Sequence, residues 1–279
     1  MSLVQILEYM NYRDERDHTR SQFYGTENFA FLLYSLLLME QPNVVVELGT
    51  GAATTAIMAA EALRQNGRGQ IWTVDDGLAW RQTLMLRRSC QRALGYEDAN
   101  ETYGAFIERI SHAFGLENSL NFVEMRLGEQ NFFCPESQKI DVLFADAGAA
   151  DPEGCTSVLR YYLPKMAKYS SIFIDRASTI HYSFLLLNYF VAQLDRGRIP
   201  MDLLAGMDEE AVSNLRDLVS CSSFSIVHLT ETARAKRHNP TQNSRAWIRI
   251  QPLDHIHHND VINYTLLGRR GYWPERSSK

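Results

Sequence analysis

The chain has 279 residues, of which 45% are hydrophobic and 22% charged, and its formal net charge is −5. A chain of this length can bury a sizeable core as one large domain. The acidic balance argues against a nucleic-acid partner, because a nucleic-acid-binding surface needs a basic face. The longest apolar runs fall well short of the ~20 residues that span a bilayer, so no membrane partner is expected.

The four cysteines are scattered along the chain and form no CxxC pair. Neither a zinc site nor a disulfide framework is therefore expected. The first residues lack the basic region, the long apolar core and the cleavage site of a secretory signal. These features favour a cytoplasmic location.

Strand and helix patterns alternate after residue 43. The predicted strands are Val44–Leu48, Gln70–Val74, Asn121–Met125, Asp141–Ala145, Ser171–Ile174, Phe224–Leu229 and Ala246–Ile250. The predicted helices between them are Thr54–Gln65, Glu153–Lys168 and Tyr182–Leu194. The first five strands are continuous apolar runs, which is typical of parallel strands covered on both faces. We therefore predict an α/β fold, a doubly wound and mostly parallel seven-stranded sheet with an antiparallel edge pair and helices on both faces.

Two segments exceed this minimal pattern. Residues 1–42 form an N-terminal extension with a predicted helix at Glu27–Met39, and they are expected either to fold over a ligand as a lid or to pack on the sheet. The domain proper covers 43–251, with a helical insertion at 78–118 that either shapes a substrate pocket or adds to the core. Residues 252–279 form a C-terminal tail.

The first predicted strand ends in Glu47 and is followed by the small-residue turn Gly49-Thr50-Gly51, before a helix that begins at Thr54. A glycine turn and a helix N-terminus at the carboxyl end of a strand are typical of nucleotide-like ligand sites. Glycine permits positive φ and lets a ligand approach the backbone closely.

The second predicted strand ends in Asp75 and Asp76, and an acidic side chain there can accept hydrogen bonds from both hydroxyls of a ribose. We favour Asp75, although Asp-Asp-Gly is also a good turn sequence. The dinucleotide fingerprint GxGxxG would need a third glycine where Thr54 stands. A carboxylate at Glu47, just before the turn, suits a cationic ligand better than a diphosphate.

With these motifs the chain resembles class I S-adenosylmethionine-dependent methyltransferases, which have a Rossmann-like fold. ELGTG at Glu47–Gly51 resembles their first motif, with Ala53 where the last glycine often stands. The resemblance implies that Glu47, Gly49, Thr50, Gly51 and Thr54 bind the cofactor. It further implies that Asp75 or Asp76 holds its ribose, that Gly128 and Glu129 border its adenine, and that Asp146, in DVLFADAG, lies beside the methyl-transfer site.

Within that class the chain looks nearest to small-molecule O-methyltransferases of the catechol and caffeoyl-CoA type. The resemblance implies a hydroxyl group on a small molecule as the acceptor, and a homodimer is the commonest assembly. In that group two aspartates and an asparagine bind Mg²⁺, and Asp146 and Asp175 stand at the aspartate positions. Arg176 replaces the asparagine and cannot ligate a hard cation. A metal-free site is therefore favoured, with Mg²⁺ as the alternative.

Asp146 is the leading candidate for a base or an orienting acceptor, by its position. His181 is the second, since histidine titrates near neutral pH, and its alternative is a polar helix-start residue facing water. The cluster 254–260 has a metal-like composition but is expected to be an exposed loop or a subunit contact. An NAD-dependent oxidoreductase and a catalytically inactive binding or scaffold protein remain open alternatives.

Overall fold

The computed structural model describes residues 3–11, 27–127, 132–135, 138–146, 151–178, 180–230 and 244–253. Its strands are β1 (Val44–Leu48), β2 (Gln70–Asp75), β3 (Leu120–Glu124), β4 (Ile140–Ala145), β5 (Met166–Asp175), β6 (Ser222–Thr230) and β7 (Ser244–Pro252). They form one seven-stranded sheet in the order β3-β2-β1-β4-β5-β7-β6. The first five strands are parallel, while β7 is antiparallel to both of its neighbours. The predicted fold class is confirmed.

The described helices before β4 are α1 (Leu3–Asn11), α2 (Glu27–Glu40), α3 (Thr54–Asn66), α4 (Leu78–Gln82), α5 (Leu84–Ala93) and α6 (Tyr103–Phe114). Those after it are α7 (Pro152–Tyr162), α8 (His181–Asp195), α9 (Met201–Leu204) and α10 (Glu209–Cys221). Helices α4, α5 and α6 lie within the predicted insertion 78–118. The division of the chain into extension, domain and tail stays a prediction.

One predicted helix is wrong at its end. The helix expected to reach Lys168 stops at Tyr162, a short 3-10 turn covers Leu163–Lys165, and β5 begins at Met166. Pro164 accounts for the stop, because proline has no amide hydrogen to donate and its ring crowds the preceding turn. The first part of β5 includes polar residues, so the apolar pattern does not reveal where this strand begins.

Each face of the sheet carries its own core. On one face α1, α2, α3 and α6 bury their apolar side chains, and on the other α7, α8, α9 and α10 do so. Every β1 residue is buried, as expected of a central strand. Helix α3 is buried along Thr54 to Leu63, and its alanines allow the close approach of α2 and the sheet. Among the described helices none is long and apolar enough to cross a bilayer.

Strand β1 lies between β2 and β4, so the chain runs from β1 to one side and later returns to the other. Ligands of open α/β sheets bind at the carboxyl ends of strands around such a reversal of strand order. Two hydrogen bonds fix this edge: Gly49 N donates to Val74 O at 2.8 Å, and Asp146 N donates to Leu48 O at 2.9 Å. The turns after β1, β2 and β4 are thereby brought together.

Gly69, between α3 and β2, is a position where a side chain cannot fit. Its φ is +85°, and a Cβ there would meet the carbonyl oxygen of Pro42 and lie 2.8 Å from Leu63 Cδ2. We expect Gly69→Ala to lower the free energy of unfolding by about 3 kcal/mol, from backbone strain and overpacking together. Urea denaturation measures this loss.

Gly95→Ala is the matched control for that substitution. Gly95 has a φ of +82°, and a Cβ at this position would have nothing within 4 Å. It carries the conformational penalty alone, roughly 1 kcal/mol. Equal losses in the two variants would show that the contacts around Gly69 are not restrictive.

Candidate active site

The turn after β1 adopts the left-handed conformations that its glycines suggest. Gly49 has a φ of +95° and Gly51 of +53°, and Ala53 follows with a φ of +61°. Ala53 is the residue where the resembling family often has glycine, and the positive φ explains why glycine suits that place. The turn ends at Thr54, the first residue of α3.

The carboxylate of Asp75 fastens this turn. Its Oδ2 accepts hydrogen bonds from Thr50 N at 2.9 Å and from Gly51 N at 3.2 Å, while its Oδ1 accepts one from Gly77 N at 2.7 Å. The neighbouring Asp76 accepts a hydrogen bond from Leu78 N at 2.8 Å, at the start of α4. Asp75 therefore joins the β1 and β2 turns into one rigid edge.

Glu47 is buried, with 1% of its surface exposed. Its Oε2 accepts a hydrogen bond from Thr73 Oγ1 at 2.5 Å, and Thr73 Oγ1 lies 2.6 Å from Thr50 Oγ1. Because Thr73 donates to Glu47, Thr50 is the donor in the second bond. Burial raises the pKa of Glu47 well above its usual range, and the nearby carboxylates of Asp146 and Asp75 act in the same direction.

Two tyrosines brace the turn from the helical layer. Tyr103 OH of α6 donates to Gly51 O at 2.6 Å, and Tyr9 OH of α1 donates to Ala52 O at 2.9 Å. Sequence reasoning missed this role of Tyr9, and it expected the insertion that contains Tyr103 either to shape a substrate pocket or to add to the core. Trp80 and Phe106 are stacked at 4.3 Å between ring centroids and are buried with Tyr103 in the core.

Asp146 follows β4 and faces Asp175 at the end of β5. The two carboxyl groups are close enough for each to shift the pKa of the other. Burial and the charge of Asp175 raise the pKa of Asp146 to about 8. Burial also raises the pKa of Asp175, while the charges of Arg245 and Arg176 oppose that rise.

Arg245, from β7, is the functional candidate that sequence reasoning missed. Its Nε lies 2.9 Å from Asp175 Oδ1, and the two side chains are 2% and 1% exposed. Arg176, which replaces the asparagine of the resembling family, places its Nε 3.5 Å from Asp175 Oδ2. In the sequence, Arg245 directly precedes the last predicted strand, Ala246–Ile250. The hydrophobic pattern did not determine the register of that strand, so its contact with Asp175 could not be predicted.

His181 is the first residue of α8 and its surface is exposed. Its ring contacts Tyr182, with centroids 5.6 Å apart. This location matches the alternative of a water-facing residue at a helix start. A direct catalytic role stays an untested prediction.

A second histidine, His228 of β6, holds the segment between β5 and α8. Asn188 Nδ2 donates to Phe184 O at 2.7 Å and lies 3.0 Å from His228 Nε2, so the amide is the donor and the Nε2 atom accepts. The proton of the neutral ring is then on Nδ1, which donates to Ser178 Oγ at 2.7 Å. Burial lowers the pKa of His228, consistent with this neutral tautomer.

Several predicted site residues lie outside the described part of the chain. They are Gly128 and Glu129, the cluster 254–260 and part of the N-terminal extension, residues 12–26. Thr54, by contrast, is described and is buried at the start of α3. The site that can be described therefore consists of the β1 turn, the end of β2 and the carboxyl pair after β4 and β5.

A family model described as "Methyltransferase domain" matches residues 46–176. That stretch runs from β1 through the glycine turn and Asp75 to Asp146, Asp175 and Arg176. A comparison with curated protein sequences finds no match.

Solved structures with a similar chain path include three methyltransferases. The O-methyltransferase TomG from Streptomyces achromogenes, involved in tomaymycin synthesis and solved with SAM, has 13% identity and a TM-score of 0.46, covering 90% of this chain and 91% of its own. The Podospora anserina methyltransferase PaMTH1, solved with SAH, has 11% identity and a TM-score of 0.43, covering 89% and 88%. An O-methyltransferase from Bacillus cereus, also with SAH, has 10% identity and a TM-score of 0.42, covering 90% and 92%.

Proposed function

We propose that this protein transfers the methyl group of S-adenosylmethionine to a hydroxyl oxygen of a small molecule. The match of residues 46–176 to a family model described as "Methyltransferase domain" supports this proposal. Bound S-adenosylmethionine supplies a methyl group that is already activated by the adjacent sulfonium. The protein has to align the acceptor with that methyl, exclude water and receive the hydroxyl proton.

The observation that carries this proposal is the carboxylate beneath the glycine turn. A diphosphate would need the exposed amides of this turn as donors. Thr50 N and Gly51 N already donate to Asp75 Oδ2, which also places a negative charge there. This arrangement opposes the pyrophosphate of NAD and favours a ligand with hydroxyl groups and positive charge.

Glu47 supports a cationic ligand at the same edge. Leaving a buried carboxylate charged is costly, and a bound ammonium group offsets that cost. Its bond from Thr73 fixes the orientation of the carboxyl group before any ligand arrives. We propose that Glu47 receives the ammonium of S-adenosylmethionine, directly or through water, and that Asp75 receives its ribose hydroxyls.

Asp146 is placed to handle the proton of the acceptor. It lies at the carboxyl end of β4, next to β1 in the sheet, and Asp146 N is bonded to Leu48 O at 2.9 Å. We propose that its ionised form orients the acceptor hydroxyl and takes its proton during transfer. Gly128 and Glu129 are proposed to border the adenine.

Calorimetric titration with S-adenosylmethionine, S-adenosylhomocysteine and NAD tests the cofactor. We expect both sulfur compounds to bind with a Kd on the order of micromolar, since enzyme substrates commonly fall in that range, and NAD to give no heat. Binding of NAD alone would overturn the proposal. Binding of both sulfur compounds without methylation of any compound in a hydroxyl panel would instead support a binding or scaffold role.

A further inference from the structure

We propose that Arg245 occupies the place of a divalent cation beside Asp146 and Asp175, so that this carboxyl pair is neutralised by a guanidinium and does not bind Mg²⁺. The inference rests on the proposed function in that it concerns the same site. It makes Arg245 a positioning residue, which acts on the reacting groups through Asp175.

The register of the sheet brings the two charges together. Asp175 of β5 and Arg245 of β7 are direct partners in the antiparallel pair, and Arg245 Nε lies 2.9 Å from Asp175 Oδ1. The Arg245 guanidinium also lies over the ring of Phe29, 5.3 Å from its centroid. With 2% of the arginine side chain exposed, solvent screens this pair little.

The second oxygen of Asp175 also faces a guanidinium. Arg176 Nε lies 3.5 Å from Oδ2, and Arg176 has a φ of +61° while its amide donates to Ser244 O at 2.8 Å. The backbone of Arg176 is thus held by the first residue of β7. Both carboxylate oxygens of Asp175 are therefore directed at arginines.

This donor set does not fit a hard divalent cation. Mg²⁺ requires near-octahedral oxygen ligands at close range. Asp175 has an arginine beside each oxygen, with Arg245 Nε 2.9 Å from Oδ1 and Arg176 Nε 3.5 Å from Oδ2. A guanidinium cannot lose its proton to make room, and two fixed positive charges would repel an entering cation.

The arrangement assigns a task to each group. Arg245 keeps Asp175 in one orientation, and the charge of Asp175 in turn acts on the neighbouring carboxyl group of Asp146. Asp146 is thereby presented to the acceptor without a metal ion to orient it. The guanidinium is always charged, so this support does not depend on the supply of a cation.

Titration with Mn²⁺, followed by the electron paramagnetic resonance signal of the free ion, tests the inference directly. The wild-type protein is expected to leave that signal unchanged, with or without S-adenosylhomocysteine. Stoichiometric loss of the signal that Asp175→Asn abolishes would overturn the inference. The result is independent of the cofactor titration, so failure of one proposal does not imply failure of the other.

Arg245→Met provides the second arm, because it removes the charge and keeps much of the side-chain volume. We expect this variant to bind Mn²⁺ at least about tenfold more tightly than the wild type, since the competing charge is gone. Arg249→Met is the matched control: Arg249 lies on the same strand and pairs with Glu40, away from Asp175. It should bind Mn²⁺ no better than the wild type.

A folded Arg245→Met protein that binds no more Mn²⁺ than the wild type would show that Arg245 is not what excludes the ion. Circular dichroism establishes whether each variant folds. If Arg245→Met does not fold, the wild-type titration still decides whether the carboxyl pair takes a divalent cation.

Discussion

Asp146→Asn is expected to reduce turnover by about 100-fold or more, since a positioned general base contributes on the order of 10²–10⁴ to rate. Asparagine keeps the shape of the side chain, so the packing around it should survive. The variant loses only the capacity to accept a proton. The affinity for S-adenosylhomocysteine should therefore stay within a few-fold of wild type.

The same residue sets an expected pH dependence. The pKa of Asp146 is raised to about 8, so near neutral pH most of the protein carries the proton on this residue. A base must be deprotonated, and turnover should therefore rise with pH and level off above that value. The groups that face Asp146 and modulate this step are Asp175, Arg176, Arg245 and Glu47.

Initial rates at saturating S-adenosylmethionine, measured across this pH range in both proteins, check the prediction. The rising limb should be absent from Asp146→Asn. Asp141→Asn is the control on the same strand: its Oδ2 accepts from Asn43 N at 2.7 Å and Val44 N at 3.0 Å, at the opposite end of β4. Turnover of Asp146→Asn within a few-fold of wild type would remove Asp146 from the proposed mechanism.

Asp75→Ala is expected to weaken binding of S-adenosylmethionine by roughly 100-fold, about 3 kcal/mol. The substitution removes the proposed acceptor for two ribose hydroxyls, and hydrogen bonds to a charged group contribute about 1.5–3 kcal/mol each. It also releases Thr50 N, Gly51 N and Gly77 N, which would loosen the turn. Calorimetry with the folded variant measures the loss.

Asp76→Asn distinguishes the role of Asp76 from that of the adjacent Asp75. Asp76 accepts its hydrogen bond from Leu78 N, outside the glycine turn, so its replacement should change the affinity by no more than a few-fold. A larger loss of affinity in Asp76→Asn than in Asp75→Ala would show that Asp76, and not Asp75, binds the ribose. A third variant, Asp208→Ala, removes the N-cap of the distant helix α10 and reports the effect of lower stability alone, about 1 kcal/mol.

Local patterns are sufficient for the central part of the molecule. Strand β1 has the bounds that its apolar run predicts, and the glycine turn that follows has the positive φ values that its residues favour. A buried run followed by glycines has few alternatives, because both faces of such a strand must be covered and the chain must then reverse. Position alone favours Asp75 over Asp76, and the ribose role of Asp75 is still a prediction.

Contacts between residues far apart in the chain could not be predicted from the sequence. That Arg245 stands opposite Asp175 depends on the register of β7 against β5, and a polar connection precedes β7. A shift of one residue would turn every side chain of that strand to the other face. The bracing of the turn by Tyr9 and Tyr103 is similarly unpredictable, since each tyrosine lies on a helix whose docking is set by the whole core.

Because β7 comes late in the chain, the candidate active site can form only after this strand has been synthesised. The matched family stretch ends at Arg176, while the arginine that neutralises Asp175 comes from the last described strand. A chain synthesised only as far as α10 would contain Asp146 and Asp175 but not Arg245, so Asp175 would lack this buried arginine partner. Residues 46–176 are therefore not sufficient on their own to form the complete candidate site. If they were transferred to another protein without β7, the glycine turn would be retained, but Asp175 would lose the guanidinium of Arg245.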